Sequence, residues 1–160
     1  MNMRKEGKNT IGIFGTEYRQ FRGKAKEAIK HLLKVKEGEC VDAFYRDDIG
    51  YVSLVWGKAG TKEKAYKDGY GLAHIVKVHA KELKQLGFEI EDFIPLVFQF
   101  GKIRENLRDF KIYLEGEEFC LVVKTKWNGV DKRFIMTAFD LRPISRKNPI
   151  RAKQMKKGRF

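Results

Sequence analysis

Two of the three histidines in the chain, His74 and His79, follow the run Gly69-Tyr70-Gly71. An imidazole changes charge near neutral pH, so a histidine fixed beside a cleft is the first candidate for proton transfer. Further along, Lys124, Lys126, Arg133 and Thr137 put cations and a hydroxyl on strands with polar faces. These residue types suffice for one reaction. In RNA the 2′-hydroxyl can attack the adjacent phosphate. That step needs a base for the hydroxyl, an acid for the leaving 5′-oxygen, and cations or hydrogen-bond donors for the phosphate charge. Cys40 and Cys120 have no second cysteine nearby, so neither a zinc knuckle nor a redox pair is expected. We expect no metal and no cofactor. No P-loop or dinucleotide glycine fingerprint points to other nucleotide chemistry.

The element carrying the histidines has apolar residues at 72, 75, 76, 79, 83 and 86, the stripe of a helix over Leu72–Leu86 that stops at Gly87. His79 falls on the stripe, and His74 shares the polar face with Lys77 and Lys81. At 100° per residue the two rings diverge by roughly 140°, so one regular helix cannot aim both at one small site. His79 therefore reads as a supporting histidine and His74 as the proton carrier. An earlier helix starts at Phe21 and stops at Gly38, with His31 on its polar side as a surface residue. Val41–Gly50 reads as a turn-rich lead-in to a strand over Tyr51–Gly57, and Lys58–Asp68 as a mobile basic loop. Ile90–Gly101 reads as a short buried helix. Phe110–Leu114, Phe119–Trp127 and Arg133–Phe139 read as an antiparallel meander, with Asn128-Gly129 as a hairpin turn. Strict alternation puts Arg133, Ile135, Thr137 and Phe139 on one face of the last strand.

The length allows one domain: a basic lead-in over 1–20, a single α+β domain over 21–141 and a basic tail over 142–160. The formal charge of +13 divides into +7 over residues 1–36, −2 over 37–141 and +8 over 142–160. Basic ends flanking a balanced centre suit a polyanion bound through its phosphates. Lys77, Lys81, Arg142, Arg146, Lys147 and Arg151 are the expected nucleic-acid contacts. No apolar run approaches the length of a membrane span and no secretory signal is visible, so a soluble protein working in a reducing cytoplasm is expected.

Several blocks together resemble the phage-associated branch of the Barnase-EndoU-Colicin-RelE (BECR) nucleases. They are Ala43-Phe44-Tyr45-Arg46-Asp47-Asp48-Ile49-Gly50, Leu54-Val55-Trp56-Gly57, Gly69-Tyr70-Gly71-Leu72-Ala73-His74-Ile75 with His79, Val123-Lys124-Thr125-Lys126-Trp127 and Met136-Thr137-Ala138-Phe139. The resemblance implies an α+β fold with N-terminal helices packed on a roughly four-stranded antiparallel sheet. It also implies metal-independent cleavage of RNA, and use as a toxin with a cognate immunity or antitoxin protein, delivered in some cases within a larger secreted or phage-borne chain. By position, His74 resembles the family's helix histidine, Thr137 its small hydroxyl residue and Arg46 the basic residue of its first block. Lys124 joins them as a candidate phosphate ligand, with Lys126, His79 and Tyr70 as alternatives or support. Phe139 departs from the family pattern, which often has tyrosine there, and removes a phenolic donor. The competing expectation is a non-catalytic nucleic-acid-binding or capsid-associated module.

Overall fold

A computed structural model of the chain describes residues 9–116 and 119–140. The tail positions Arg142, Arg146, Lys147 and Arg151 lie outside the described residues. In chain order the elements are β1 (Thr10–Gly12), β2 (Gly15–Tyr18), α1 (Ala25–Val35), β3 (Glu39–Arg46), β4 (Gly50–Val55), α2 (Gly71–Val78), α3 (Ala80–Gln85), α4 (Ile90–Phe100), β5 (Lys102–Asn106), β6 (Lys111–Glu115), β7 (Phe119–Trp127) and β8 (Val130–Asp140).

All eight strands join one sheet in the order β1-β2-β3-β4-β8-β7-β6-β5. Two joints are parallel, β2 with β3 and β4 with β8, and the rest are antiparallel. This corrects the expected four-stranded antiparallel sheet. The meander is present as β6–β8, but four strands precede it and β5 extends it. β3 was hidden because Asp42, Asp47, Asp48 and Gly50 are turn formers. The burial of Cys40, Ala43 and Phe44 nevertheless holds the segment in the sheet. β5 has a polar sequence and forms through a ladder that runs from Lys102 opposite Glu115 to Asn106 opposite Lys111.

One core joins a face of this sheet to the helices. Phe44, Val52 and Leu54 come from β3–β4, Leu121, Val123 and Ile135 from β7–β8, Ile29 and Leu32 from α1, Leu72 and Ile75 from α2, and Phe93, Val97 and Phe98 from α4. The β7–β8 hairpin closes through Asn128 and Gly129, both at positive φ (51° and 82°), the backbone that a two-residue hairpin turn requires. β4 and β8 pair at a single position, Ser53 with Phe134. No helix among the described residues is long and apolar enough to cross a membrane.

Candidate active site

The N-terminus of α2 is fastened to the end of β4. The Ala73 N–H donates to the Trp56 carbonyl at 2.8 Å, and Lys58 and Tyr70 exchange two backbone hydrogen bonds. The intervening loop, expected to be mobile, is tied across its base. Thr61 N–H donates to the Asp68 carboxylate at 2.8 Å, and a short 3₁₀ turn spans Lys62–Lys64. This collar brings the Ala59 carbonyl to 3.1 Å from Nδ1 of His74. A carbonyl can only accept, so Nδ1 carries the proton, and Nε2 is the acceptor of the neutral ring. Gly69 leaves room for the ring: a Cβ there would stand 2.5 Å from Nδ1.

The two histidines are together, contrary to the geometry of one continuous helix. The α-helical run ends at Val78, His79 takes φ −119° and ψ −14°, and α3 begins at Ala80. That interruption removes the divergence a regular helix would impose, and the His74 and His79 ring centroids lie 5.9 Å apart, edge to face. Nδ1 of His79 is 2.9 Å from a carboxylate oxygen of Glu82, which is a counter-ion for the ring when it is protonated. His79 also lines a small apolar cavity with Leu83, Phe93, Ala138 and Phe139, so the end of β8 lies beside the imidazole pair.

The other expected site residues are elsewhere. Arg46 stands at the far end of β3, opposite Gly50. Its guanidinium donates to the Phe98 and Gly101 carbonyls at 3.0 and 2.7 Å and pairs with Asp48 at 2.9 Å, clamping the end of α4. Lys124 donates to the Asp109 carbonyl at 3.0 Å, and Lys126 pairs with Asp131 at 2.6 Å. A register shift between Val122 and Val123 sets Ile135 opposite Val123 but Thr137 opposite Val122. Cross-strand partners share a face, so Thr137 leaves the face of Ile135 on which strict alternation would keep it. Its Oγ1 is buried with no hydrogen-bond partner among the described residues. The Tyr70 ring packs against Trp127 at 4.6 Å and against Phe14 at 6.0 Å, and burial raises its phenol above the ordinary value of 10.0. Lys77 and Lys81 are exposed beside the histidines, Lys77 with its Nζ 5.6 Å from the Tyr66 ring centre.

Glu82 had no distinguishing signal in the sequence, and Gly69 was marked only as part of the glycine-flanked helix start. Glu82 is one acid on a lysine-rich helix, and the role of Gly69 emerges only when the collar closes. Asp42 did carry a signal, a carboxylate between strand-forming apolar residues, but it was absorbed into the expected turn. The thiols are inert: burial pushes Cys40 up to about 12 and Cys120 to about 11, so neither supplies a thiolate nucleophile near neutral pH.

Neither a comparison with curated proteins nor one with solved structures finds a match. A family model does match, over residues 43–143, a stretch that takes in the second half of β3, the collar, both histidines and the whole meander. The chain therefore belongs to PBECR1, the phage-Barnase-EndoU-ColicinE5/D-RelE like nuclease 1 family, and nucleic acid is the substrate that this membership implies.

Proposed function

We propose that the protein is an endoribonuclease that cleaves RNA by 2′-hydroxyl transesterification, with His74 and His79 as its proton carriers. The observation that carries this reading is the pairing of two imidazoles, one with its tautomer set by a carbonyl and the other backed by a carboxylate. Nε2 of His74 takes the proton of the 2′-hydroxyl as the O2′–P bond forms. The P–O5′ bond breaks, and O5′ takes a proton from the His79 imidazolium held by Glu82. The products are a 2′,3′-cyclic phosphate and a 5′-hydroxyl. The two rings then exchange roles if water opens the cyclic phosphate. Lys77 and Lys81 beside the pair supply positive charge toward the phosphate backbone.

This arrangement differs from the expected set in its second proton carrier. Arg46 is committed to the end of α4, Lys124 to the Asp109 carbonyl between β5 and β6, and Lys126 to Asp131 on β8. Thr137 has a hydroxyl with no hydrogen-bond partner among the described residues, but that oxygen is buried on the strand face opposite Ile135, so it is given no part in the proposed chemistry. The resemblance to bacterial toxins adds a cellular role, arrest of growth that a cognate immunity or antitoxin protein relieves.

The test is incubation of purified protein with total RNA and tRNA in chelator, with the new ends identified. Cyclic phosphate ends from the native protein, and none from His74→Ala, are expected. Intact RNA, or equal cleavage by His74→Ala, overturns the reading. Salt-sensitive binding without cleavage would favour the non-catalytic module.

A further inference from the structure

A second polar site lies away from the imidazole pair. Beyond the single Ser53–Phe134 joint, β4 and β8 enclose a cleft of about 490 Å³ with β3 and β7. Its walls carry Asp42, Tyr51, Ser53, Thr125, Lys126 and Arg133. Each lining cation has a partner within the protein. Lys126 pairs with Asp131, Lys132 with the fully buried Glu39, and Arg133 donates to the Ile49 carbonyl.

Asp42 is the exception. Among the described residues its carboxylate meets neither a cation nor a hydrogen-bond donor, while its backbone is pinned on both sides. Its N–H donates to Ser53 Oγ at 3.0 Å and its carbonyl accepts from Gly23 at 2.9 Å. The β3–β4 register jumps between Cys40 and Phe44, and Asp42 sits in that bulge at φ +54°. Aspartate and asparagine adopt left-handed backbone more readily than other non-glycine residues, and bulges re-aim side chains. Here the bulge supplies a cleft with one unspent carboxylate. Beside it Ser53, which accepts from Asp42, keeps its hydroxyl hydrogen to donate. Tyr51 is 37% exposed and forms an aromatic wall, with the Arg22 guanidinium 4.3 Å from its ring centre.

We infer that this cleft holds one unpaired base of the substrate strand and that Asp42 selects it through its amino edge. An unpaired base stacks on aromatic side chains and exposes its pairing edge to hydrogen bonds. A carboxylate offers two acceptors and no donor. Guanine, with adjacent ring N–H and amino donors, matches both oxygens. Adenine and cytosine match one, whereas uracil sets a carbonyl beside its one N–H. The order is guanine first and uracil last. The inference rests on the protein acting on RNA and adds base selection at a place separate from the chemistry.

The experiment measures fluorescence anisotropy of labelled 2′-O-methyl uridine hexamers in which one internal base is varied. The 2′-O-methyl group removes the nucleophile, so binding is read apart from cleavage. A good bidentate match is expected to favour the guanine hexamer over the all-uridine one by about tenfold. Asn tolerates the left-handed region, so Asp42→Asn keeps the backbone while replacing one acceptor by a donor, and the preference should shrink to roughly twofold or less. Tyr51→Ala should weaken all the hexamers alike. Equal binding of the hexamers by the native protein overturns the inference, as does an undiminished guanine preference in Asp42→Asn with a native melting curve. Base-selective binding without any RNA cleavage would sink the acid–base reading and leave this one standing. Cleavage with base-blind binding would do the reverse.

Discussion

Arg46 and His74 stand near opposite ends of β4: Arg46 pairs with Gly50 at its start, and the helix that carries His74 is fastened to Trp56 just past its end. Both belong to blocks that resemble nuclease motifs, and both are partly buried. Their partners differ. Arg46 spends its donors on two carbonyls at the end of α4 and on Asp48. Among the described residues the His74 side chain makes one hydrogen bond, through Nδ1, and that bond prepares its other nitrogen to accept a proton. A conspicuous charge in a motif can therefore be the fastening that holds the scaffold, while a ring at the other end keeps a nitrogen open, as the proposed chemistry requires. The distinction lies in which atoms the fold has already used.

The largest effect expected is at the imidazole. His74→Ala should lower the initial rate of RNA cleavage by about 10²–10⁴-fold, the usual contribution of a positioned acid or base. The melting temperature should stay near the native value, because one hydrogen bond to a loop carbonyl contributes only about 1 kcal/mol. A large fall in melting temperature with the rate per folded molecule preserved would give His74 the structural role and break the contrast.

Arg46→Ala should show the opposite pattern. Hydrogen bonds from a charged group contribute about 1.5–3 kcal/mol each, so losing the clamp on Phe98 and Gly101 should cost about 3 kcal/mol of stability. For a domain of this size that lowers the melting temperature by roughly 6–12 °C. Cleavage per folded molecule should remain close to native. A variant with a native melting curve and no activity would instead place Arg46 at the phosphate.

Gly69→Ala tests whether the collar positions the ring. The added methyl meets Nδ1 of His74 at 2.5 Å. The same methyl would stand 2.2 Å from the Ala59 carbonyl oxygen, so the ring must turn or the loop must move, and a misplacement of that size should cost about tenfold or more in cleavage while removing no titratable group. An unchanged rate would show that the position of the ring is set by α2 alone.

The same contrast explains what could be read from the sequence. Local signals were reliable where local chemistry decides the structure. Asn128-Gly129 fixed the β7–β8 turn, and the apolar stripe from Ala25 to Leu33 fixed α1. His74 stood out because a glycine-flanked helix start is local too. Features that depend on contacts between distant segments left no such trace. No glycine or proline marks the interruption at His79, which has ordinary right-handed dihedrals. The bulges at Asp42 and between Val122 and Val123 arise because strands of unequal length must keep their apolar residues on the core side. The pairing of β4 with β8 joins segments from opposite halves of the chain, and neither segment alone encodes it. For the same reason the engagement of Arg46 was invisible, since its acceptors lie in α4 and the residue after it.

His31 gives the smallest effect and extends the contrast to a third imidazole. Expected at the surface, it lies between the Tyr18 and Phe21 rings, at 4.3 and 4.8 Å, with its Nε2 buried and without a hydrogen-bond partner among the described residues. Burial, with a smaller push from the Lys34 charge and an opposing one from Glu37, lowers its pKa below the ordinary 6.5. Between that lowered value and 6.5 the unfolded chain binds more protons than the folded one, so stability rises with pH across this window. The contribution is complete above about pH 6.5 and is lost as acid brings the pH down toward the folded-state value. Glu17 and Glu37, both held below 4.5, lose their contributions only in stronger acid, so the windows separate. The melting temperature should decline as pH falls from 7 to about 5.5, and His31→Phe, which keeps an aromatic ring between Tyr18 and Phe21, should flatten that slope. Comparing the two curves isolates His31, because both proteins retain every other titratable group. An identical acid slope in His31→Phe would mean that the Tyr18–Phe21 site accepts the charged ring as readily as water does.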